Sequence, residues 1–377
     1  MPPTTLQSPL HGRFAGTDAL LLPYGPPDAM VELVGAFEEV GLEYAAIRKG
    51  VVLFDEAHTS AVIVRGSDRL AFLNNMVTQR VGDLPPGETR ASFWLNRKGR
   101  IDADLRVAAT PDTACLILDR HLAAPTAEAL SNYVFTEDCA IEDASADRHV
   151  LALHGVAALA HLAERAGDPA LATLGPGRNA PCVIAGVEAL ADRDDLTGDP
   201  GVRVVVPRDA AERVYDALLA PTAAATPRPA GWFALNTARI EAGRPLFNVD
   251  FGPDAVPAET GLLTDRVDFR KGCYLGQEVV ARMDARKVRK RGLVALRVDG
   301  DADAPLPGAG DPVFTEDEQT QVGVVTSSTI APMLGSAVVC FAMVRDAETA
   351  PGARLVVRAE GRAAGAVVRP ELAFWTR

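Results

Sequence analysis

One thiol set close to two bases is the most chemically suggestive feature of the chain: Arg270-Lys271-Gly272-Cys273-Tyr274-Leu275-Gly276-Gln277-Glu278. Positive charge near Cys273 favours the thiolate, the form of cysteine that attacks electrophiles and binds metals. Gly272 and Gly276 allow the backbone to bend sharply and approach a ligand. Gln277 and Glu278 open an apolar run that reads as the first turn of a helix or the start of a strand. The residue types alone also fit a tight turn around an inert, buried cysteine.

Three other places carry groups suited to ligand or proton chemistry. Asp102 and Asp104 fall on one face of an expected strand over Ile101 to Val107, with Ala103 on the other face. Asp199 offers a carboxylate in Thr197-Gly198-Asp199-Pro200-Gly201, a sequence that an ordinary Asp-Pro-Gly turn also has. Arg239, in an expected helix over Ala234 to Gly243, can serve an anionic ligand or a neighbouring carboxylate. The basic run Arg282, Arg286, Lys287, Arg289, Lys290, Arg291 could meet RNA or an acidic partner. No aromatic residues interleave with it to stack bases, which favours a solvated linker face over direct RNA contact.

The elements that must position these groups follow from pattern. Residues 1 to about 27 read as a surface arm anchored by Leu20-Leu21-Leu22, and Ala29 to Val40 as an amphipathic helix. A strand over Ala61 to Gly66 precedes a helix over Ser67 to Met76, capped by Ser67 or Asp68. Strands over Gly87 to Leu95 and Ile101 to Val107 join through Asn96-Arg97-Lys98-Gly99, a hairpin connection. A strand over Cys115 to Asp119 and a helix over Ala123 to Tyr133 complete this block. Strands and helices alternate again from Val150 to Leu219, as in a ferredoxin-like lobe. From Gly292 short strands broken by Gly, Pro and Asp predict a small antiparallel barrel.

Composition bounds the answer. A chain of 377 residues has room for two or three domains, and 48% hydrophobic with 23% charged residues is ordinary for a globular protein. The formal net charge of −12 argues against coating nucleic acid. The five cysteines are scattered, without a C-x-x-C pair or zinc-type spacing, which fits a reducing compartment. No signal pattern or long apolar run is present, so a cytoplasmic protein without membrane contact is expected.

The Lys-Gly-Cys-Tyr-x-Gly-Gln-Glu stretch resembles the signature of the YgfZ-type folate-binding proteins, a branch of the glycine-cleavage T-protein (aminomethyltransferase) superfamily. Arg90, Leu95, Gly99 and Arg100 match a further T-protein pattern. The helix ending Arg239-Ile240-Glu241-Ala242-Gly243 resembles another, with Ala238 and Ile240 in place of leucines, and so do Gly323 to Ser327 and Ala331 to Gly335. The likeness covers roughly residues 30 to 375.

It implies an α+β fold of three lobes around a central folate pocket: an N-terminal α+β lobe over 28–147, a ferredoxin-like lobe over 148–288, and a C-terminal β-barrel over 289–377. Tetrahydrofolate, or a one-carbon derivative of it, is the implied cofactor. Asp199 and Arg239, with Lys271, Tyr274, Gln277 and Glu278 at the pocket rim, are the implied binding residues. Cys273 and Asp104 are the implied catalytic groups. Ala103 stands where T-proteins carry the first of two aspartates, which argues against aminomethyl transfer.

The implied function is therefore support of iron–sulfur cluster assembly or repair, and thereby of tRNA modification. A monomer meeting iron–sulfur client or assembly proteins transiently is expected. An aminomethyltransferase or demethylase, and a non-catalytic scaffold, are the alternatives.

Overall fold

Strict alternation builds the sheet on which the site rests. In strand Ile101–Ala109, Ile101, Ala103, Leu105 and Val107 are buried while Asp102, Asp104 and Arg106 are partly open. One face therefore joins an apolar core with Val62, Leu73, Trp94 and Leu116, and the other is left for polar work. The computed structural model, which describes residues 6–286, 288–300 and 303–376, places this strand second in a five-stranded sheet. The order is Thr89–Leu95, Ile101–Ala109, Thr113–Asp119, Thr59–Arg65 and Ala140–Asp143. Helices Arg69–Met76 and Arg120–Ser131 cover the core face through Phe72, Leu73, Ala123, Ala127 and Leu130.

The expected hairpin over Asn96 to Gly99 forms. Asn96 Oδ1 accepts from the amides of Lys98 and Arg100 at 3.0 and 3.2 Å, and Gly99 takes φ +70°. Only glycine suits this turn for a second reason: a Cβ at Gly99 would lie 2.7 Å from Val279 Cβ.

From Arg148–His154 to Arg228–Pro229 the second lobe runs βαβββαβ, one strand more between its helices than the ferredoxin-like order. A further strand from the first block joins its sheet. Its sheet runs Asn179–Ile184, Val187–Arg193, Gly201–Pro207, Arg148–His154, Val52–Asp55, Arg228–Pro229. Strand Val52–Asp55 comes from the first 147 residues, yet pairs with Arg148–His154 from Val52 opposite His154 to Asp55 opposite Leu151. The two lobes thus interlock, and a cut at residue 147 divides the sequence without dividing the structure. Helices Ala158–Ala166 and Ala211–Leu219 bury Leu159, Leu162, Val214 and Leu218 against this sheet.

The C-terminal segment is a closed barrel of six strands, in the order Arg291–Val298, Ala337–Arg345, Gln321–Ala331, Pro312–Thr315, Arg354–Ala359, Arg362–Val368. Its last strand is not apparent from the sequence pattern, because Arg362-Ala363-Ala364-Gly365 lacks an apolar alternation. That strand pairs with both Arg354–Ala359 and Arg291–Val298 and so closes the barrel, which removes open sheet edges.

Two local expectations are corrected. Ala29 to Val40 is not a helix: Val31–Ala36 is a strand paired with Leu20–Tyr24, and the helix begins afterwards, at Val40–Lys49. Backbone proximity decides it, since Gly231 sits so near Gly35 that a Cβ on Gly231 would meet the Gly35 carbonyl at 2.4 Å. A helix could not present that flat edge. Ser67 and Asp68 do not cap helix Arg69–Met76 with their side chains. They bond Asp138 instead, Ser67 N donating to Asp138 Oδ2 at 2.9 Å and Asp138 N donating to Asp68 Oδ2 at 2.8 Å. No helix among the described residues is long and apolar enough to cross a membrane.

Candidate functional site

Where the polar face of the first sheet meets the second lobe and the segment after helix Trp232–Glu241, a chamber of about 270 Å³ opens. Asp104 and Asp119 come from the first sheet, Arg203 and Asp194 from the second lobe, Phe247 and Arg266 from the connecting segment. The barrel does not line this chamber. It borders a wider outer groove of about 720 Å³ through Thr326 and Ala309. Tyr24 and Phe247 line both spaces and form the waist between them. Arg244 and Leu262 line the chamber and also a cavity of about 370 Å³ against the barrel. The chamber therefore shares walls with both neighbouring spaces.

Charge in the chamber is mostly compensated. Arg266 Nε donates to Asp104 Oδ1 at 2.9 Å, Arg106 Nε to Asp192 Oδ2 at 2.6 Å, and Arg203 Nε to Glu56 Oε2 at 2.7 Å. Arg203 also pairs with Asp194. Burial alone would raise the Asp194 carboxyl, but Arg203 and Arg106 outweigh it and hold it well below the usual range. Asp195 is held by Arg193 at 2.5 Å and by the Gly201 amide at 3.0 Å.

Asp119 is the exception. Its partners among the described residues are neutral: Asn248 Nδ2 donates to it at 2.7 Å, and the Tyr24 hydroxyl lies 3.4 Å from both oxygens. Burial pushes its carboxyl up to about 7, and the Asp104 charge adds to the shift. Asp119 precedes helix Arg120–Ser131 but does not cap it, so its side chain is free to face the chamber. The sequence signal was an acid at the junction of an apolar strand and a helix, which looks like any N-cap.

His58 sits at the chamber edge in an aromatic box, with ring centroids 5.0 Å from Tyr24 and 5.7 Å from Trp232. Burial brings it down to about 4, so the ring is neutral near pH 7. Its buried Nδ1 has no hydrogen-bond partner among the described residues.

The residues expected from sequence divide sharply. Asp104 lies in the chamber wall. Ala103 is fully buried with Leu105 in the apolar core and pairs in register with Trp94. A carboxylate at position 103 would point away from the chamber, so Ala103 does not count against transfer chemistry.

Asp199 and Arg239 are outside the chamber lining. Asp199 is fully buried, with Arg48 Nη1 at 2.7 Å. Arg239 is fully buried, its Nη1 donating to Asp250 Oδ2 at 2.6 Å and its Nε to Asn236 Oδ1 at 3.0 Å. Of the two readings of Arg239, the structure shows the ion pair.

The cysteine loop stands apart from the chamber as well. Lys271 is buried, and its ammonium donates to the carbonyls of Asn74, Val77 and Gln79 at 2.5, 2.7 and 2.9 Å. It caps the C-terminal end of helix Arg69–Met76, where unpaired carbonyls gather. Burial lowers its pKa to about 8. Tyr274 is buried in the core between the lobes, and burial raises its hydroxyl to about 12. Gly276 takes φ +80°, and a Cβ there would meet the Asn96 carbonyl at 2.7 Å. Between these pins Cys273 is exposed. Gln277 begins helix Gln277–Arg286, half-buried, with Glu278 exposed beside it. In the basic run, Arg289 and Arg291 are ion-paired to Asp346 and Glu259, Arg282 and Arg286 are exposed, and Lys287 lies outside the described residues.

Comparison with known proteins agrees with this architecture. The family model described as the GCVT N-terminal domain matches residues 24–271, and the glycine cleavage T-protein C-terminal barrel domain matches residues 291–374. The chain is 30% identical to the aminomethyltransferase of Geobacillus kaustophilus over 87% of each chain. It is 29% identical to a probable aminomethyltransferase of Halobacterium salinarum over 94% of each. The crystal structure of glycine cleavage system aminomethyltransferase T from Bartonella henselae superposes with a TM-score of 0.86 at 22% identity, covering 99% of both chains. The chain belongs to the glycine cleavage T-protein family.

Proposed function

We propose that the protein is a tetrahydrofolate-dependent aminomethyltransferase, working in the cytoplasm. The observation that carries this reading is Asp104, held by Arg266 in the wall of a chamber that shares lining residues with two neighbouring cavities. A carboxylate there can act on a group bound in the chamber.

The residues fit a pterin. Tyr24 and Phe247 offer aromatic faces at the waist, and the Asp194–Asp195 edge offers acceptors for ring N–H groups. The His58 ring carries a buried nitrogen without a partner among the described residues, which a ligand's polar edge would satisfy. Bound tetrahydrofolate would supply the nitrogens that accept a one-carbon unit. The chain's own residues orient it, exclude water and handle protons.

The test is calorimetric titration with tetrahydrofolate, then assay of transfer from S-aminomethyl dihydrolipoamide made in situ from formaldehyde, ammonia and dihydrolipoamide. Wild type should bind at micromolar concentration and transfer. Asp104→Asn should bind and transfer at least about 100-fold more slowly. Absence of binding by the wild type would overturn the reading.

A second reading, YgfZ-type support of iron–sulfur cluster assembly and tRNA modification, is favoured by one observation: Cys273 is presented to solvent on a loop pinned at both ends. One cysteine does not complete an iron–sulfur site, so an assembly protein or client would have to bring further ligands. Cells lacking the protein, complemented with wild type or Cys273→Ala, would be assayed for iron–sulfur enzyme activity. Equal rescue by both would remove this reading.

A further inference from the structure

Resting on the transferase reading, we propose that Asp119 is a second catalytic carboxylate, the acid partner of Asp104 in the chamber wall. Strands Ile101–Ala109 and Thr113–Asp119 pair with Leu105 opposite Leu118. Both leucines face the apolar core. Continuing that register by one residue sets Asp104 opposite Asp119 on the other face, where both line the chamber. Directly opposed side chains in an antiparallel pair have Cβ atoms about 5 Å apart.

Their surroundings differ in kind. Asp104 has the Arg266 guanidinium against it and carries its charge in an ion pair. Asp119 has Tyr24 and Asn248, and Asn248 also contacts His121 Nε2 at 3.2 Å. The charged groups bearing on Asp119 are Asp104 from the neighbouring strand and Arg203 from the second lobe. Arg203 is already engaged by Glu56 and Asp194. Neutral His58 stands at the chamber edge. Two like acids in one wall, one compensated and one not, separate into an ionised group and a proton-holding group.

The proton balance is simple. The C–N bond of an aminomethyl donor breaks, and its electron pair stays on nitrogen. Nitrogen takes the Asp119 proton and leaves as ammonia. The carbon bonds to one nucleophilic N–H group of the acceptor, whose own proton restores Asp119. A second acceptor N–H then bonds the same carbon as the C–S bond breaks, and its proton goes to the departing dihydrolipoamide thiolate. The Asp104 carboxylate faces the positive charge that develops at carbon.

The experiment combines carboxyl ¹³C NMR of the full chain with pH–rate profiles for wild type, Asp119→Asn and Asp119→Glu. The expected result is an Asp119 carboxyl titrating near pH 7 without ligand, and a wild-type rate that falls as pH rises through that value. Asp119→Asn should lose that limb and about 100-fold or more in rate, while tetrahydrofolate affinity stays within a few-fold. Asp119→Glu should restore part of both. Titration of Asp119 in the usual carboxylate range, or an unchanged pH profile in Asp119→Asn, would overturn the proposal and leave the transferase reading intact. Failure of the wild type to bind tetrahydrofolate would overturn both.

Discussion

Arg48 and Asp199 meet at 2.7 Å with their side chains 7% and 0% exposed. The pair joins helix Val40–Lys49 to the second lobe. The same guanidinium reaches Glu241 at 2.7 Å and lies 4.6 Å from the Trp375 ring. Glu241 in turn accepts the Met333 amide at 3.0 Å through its carboxylate. One arginine thus fastens the first block, the second lobe and the C-terminal end.

Removing Arg48 leaves two buried carboxylates uncompensated, and breaking a buried pair in this way costs about 3–5 kcal/mol. Arg48→Ala should lose that much in urea unfolding. Asp199→Asn should also destabilise, by a smaller amount, while tetrahydrofolate affinity changes less than about three-fold. A large affinity loss in a stably folded Asp199→Asn would return Asp199 to the ligand.

Asp119 gives the protein a pH dependence of known sign. Its carboxyl is raised in the folded state, to about 7, against an ordinary value near 4. Such a group contributes stability that is fully present below about pH 4 and is lost as pH rises through about 7. Wild type should therefore lose stability between pH 5 and 8 relative to Asp119→Asn. Thermal unfolding of both proteins across that range is the check. Parallel curves would show that Asp119 is not raised.

Gly276 holds the cysteine loop by having no side chain. A methyl group there would meet the Asn96 carbonyl at 2.7 Å and would have to adopt φ +80°. Gly276→Ala should destabilise by about 1–3 kcal/mol. Amide exchange should speed up first in helix Gln277–Arg286 and the Asn96–Gly99 turn. Unchanged exchange in both places would mean that the loop is not fastened through this contact.

The thiols should separate by rate. Cys115, Cys182 and Cys340 are buried, and burial raises them to about 12, 11 and 12. Cys139 is half-buried and Cys273 exposed. Labelling of native protein with a disulfide reagent should modify Cys273 fast, Cys139 more slowly, and the other three only on unfolding. Fast labelling persisting in Cys273→Ser would contradict the exposure.

The sequence by itself determined the alternation that sets Asp104 against Ala103, the Asn96–Gly99 turn, the barrel, and the family likeness. Each is local: a period of two, a glycine where φ is positive, a run of residues in register. Tertiary structure decided which charges face the chamber. Asp199 and Arg239 carry residue types suited to a ligand, yet each is consumed by a buried partner. The partner of Asp199 lies 151 positions away in the chain, beyond any local pattern. Asp119 gained its character from Tyr24 and Asn248, brought in from segments 95 and 129 positions distant, and from burial without an ion-paired cation among the described residues. Val31–Ala36 became a strand because Leu20–Tyr24 pairs with it and Gly231 packs flat against it. Local periodicity fixes which way a side chain points, but its protonation and its partner depend on what the fold brings opposite.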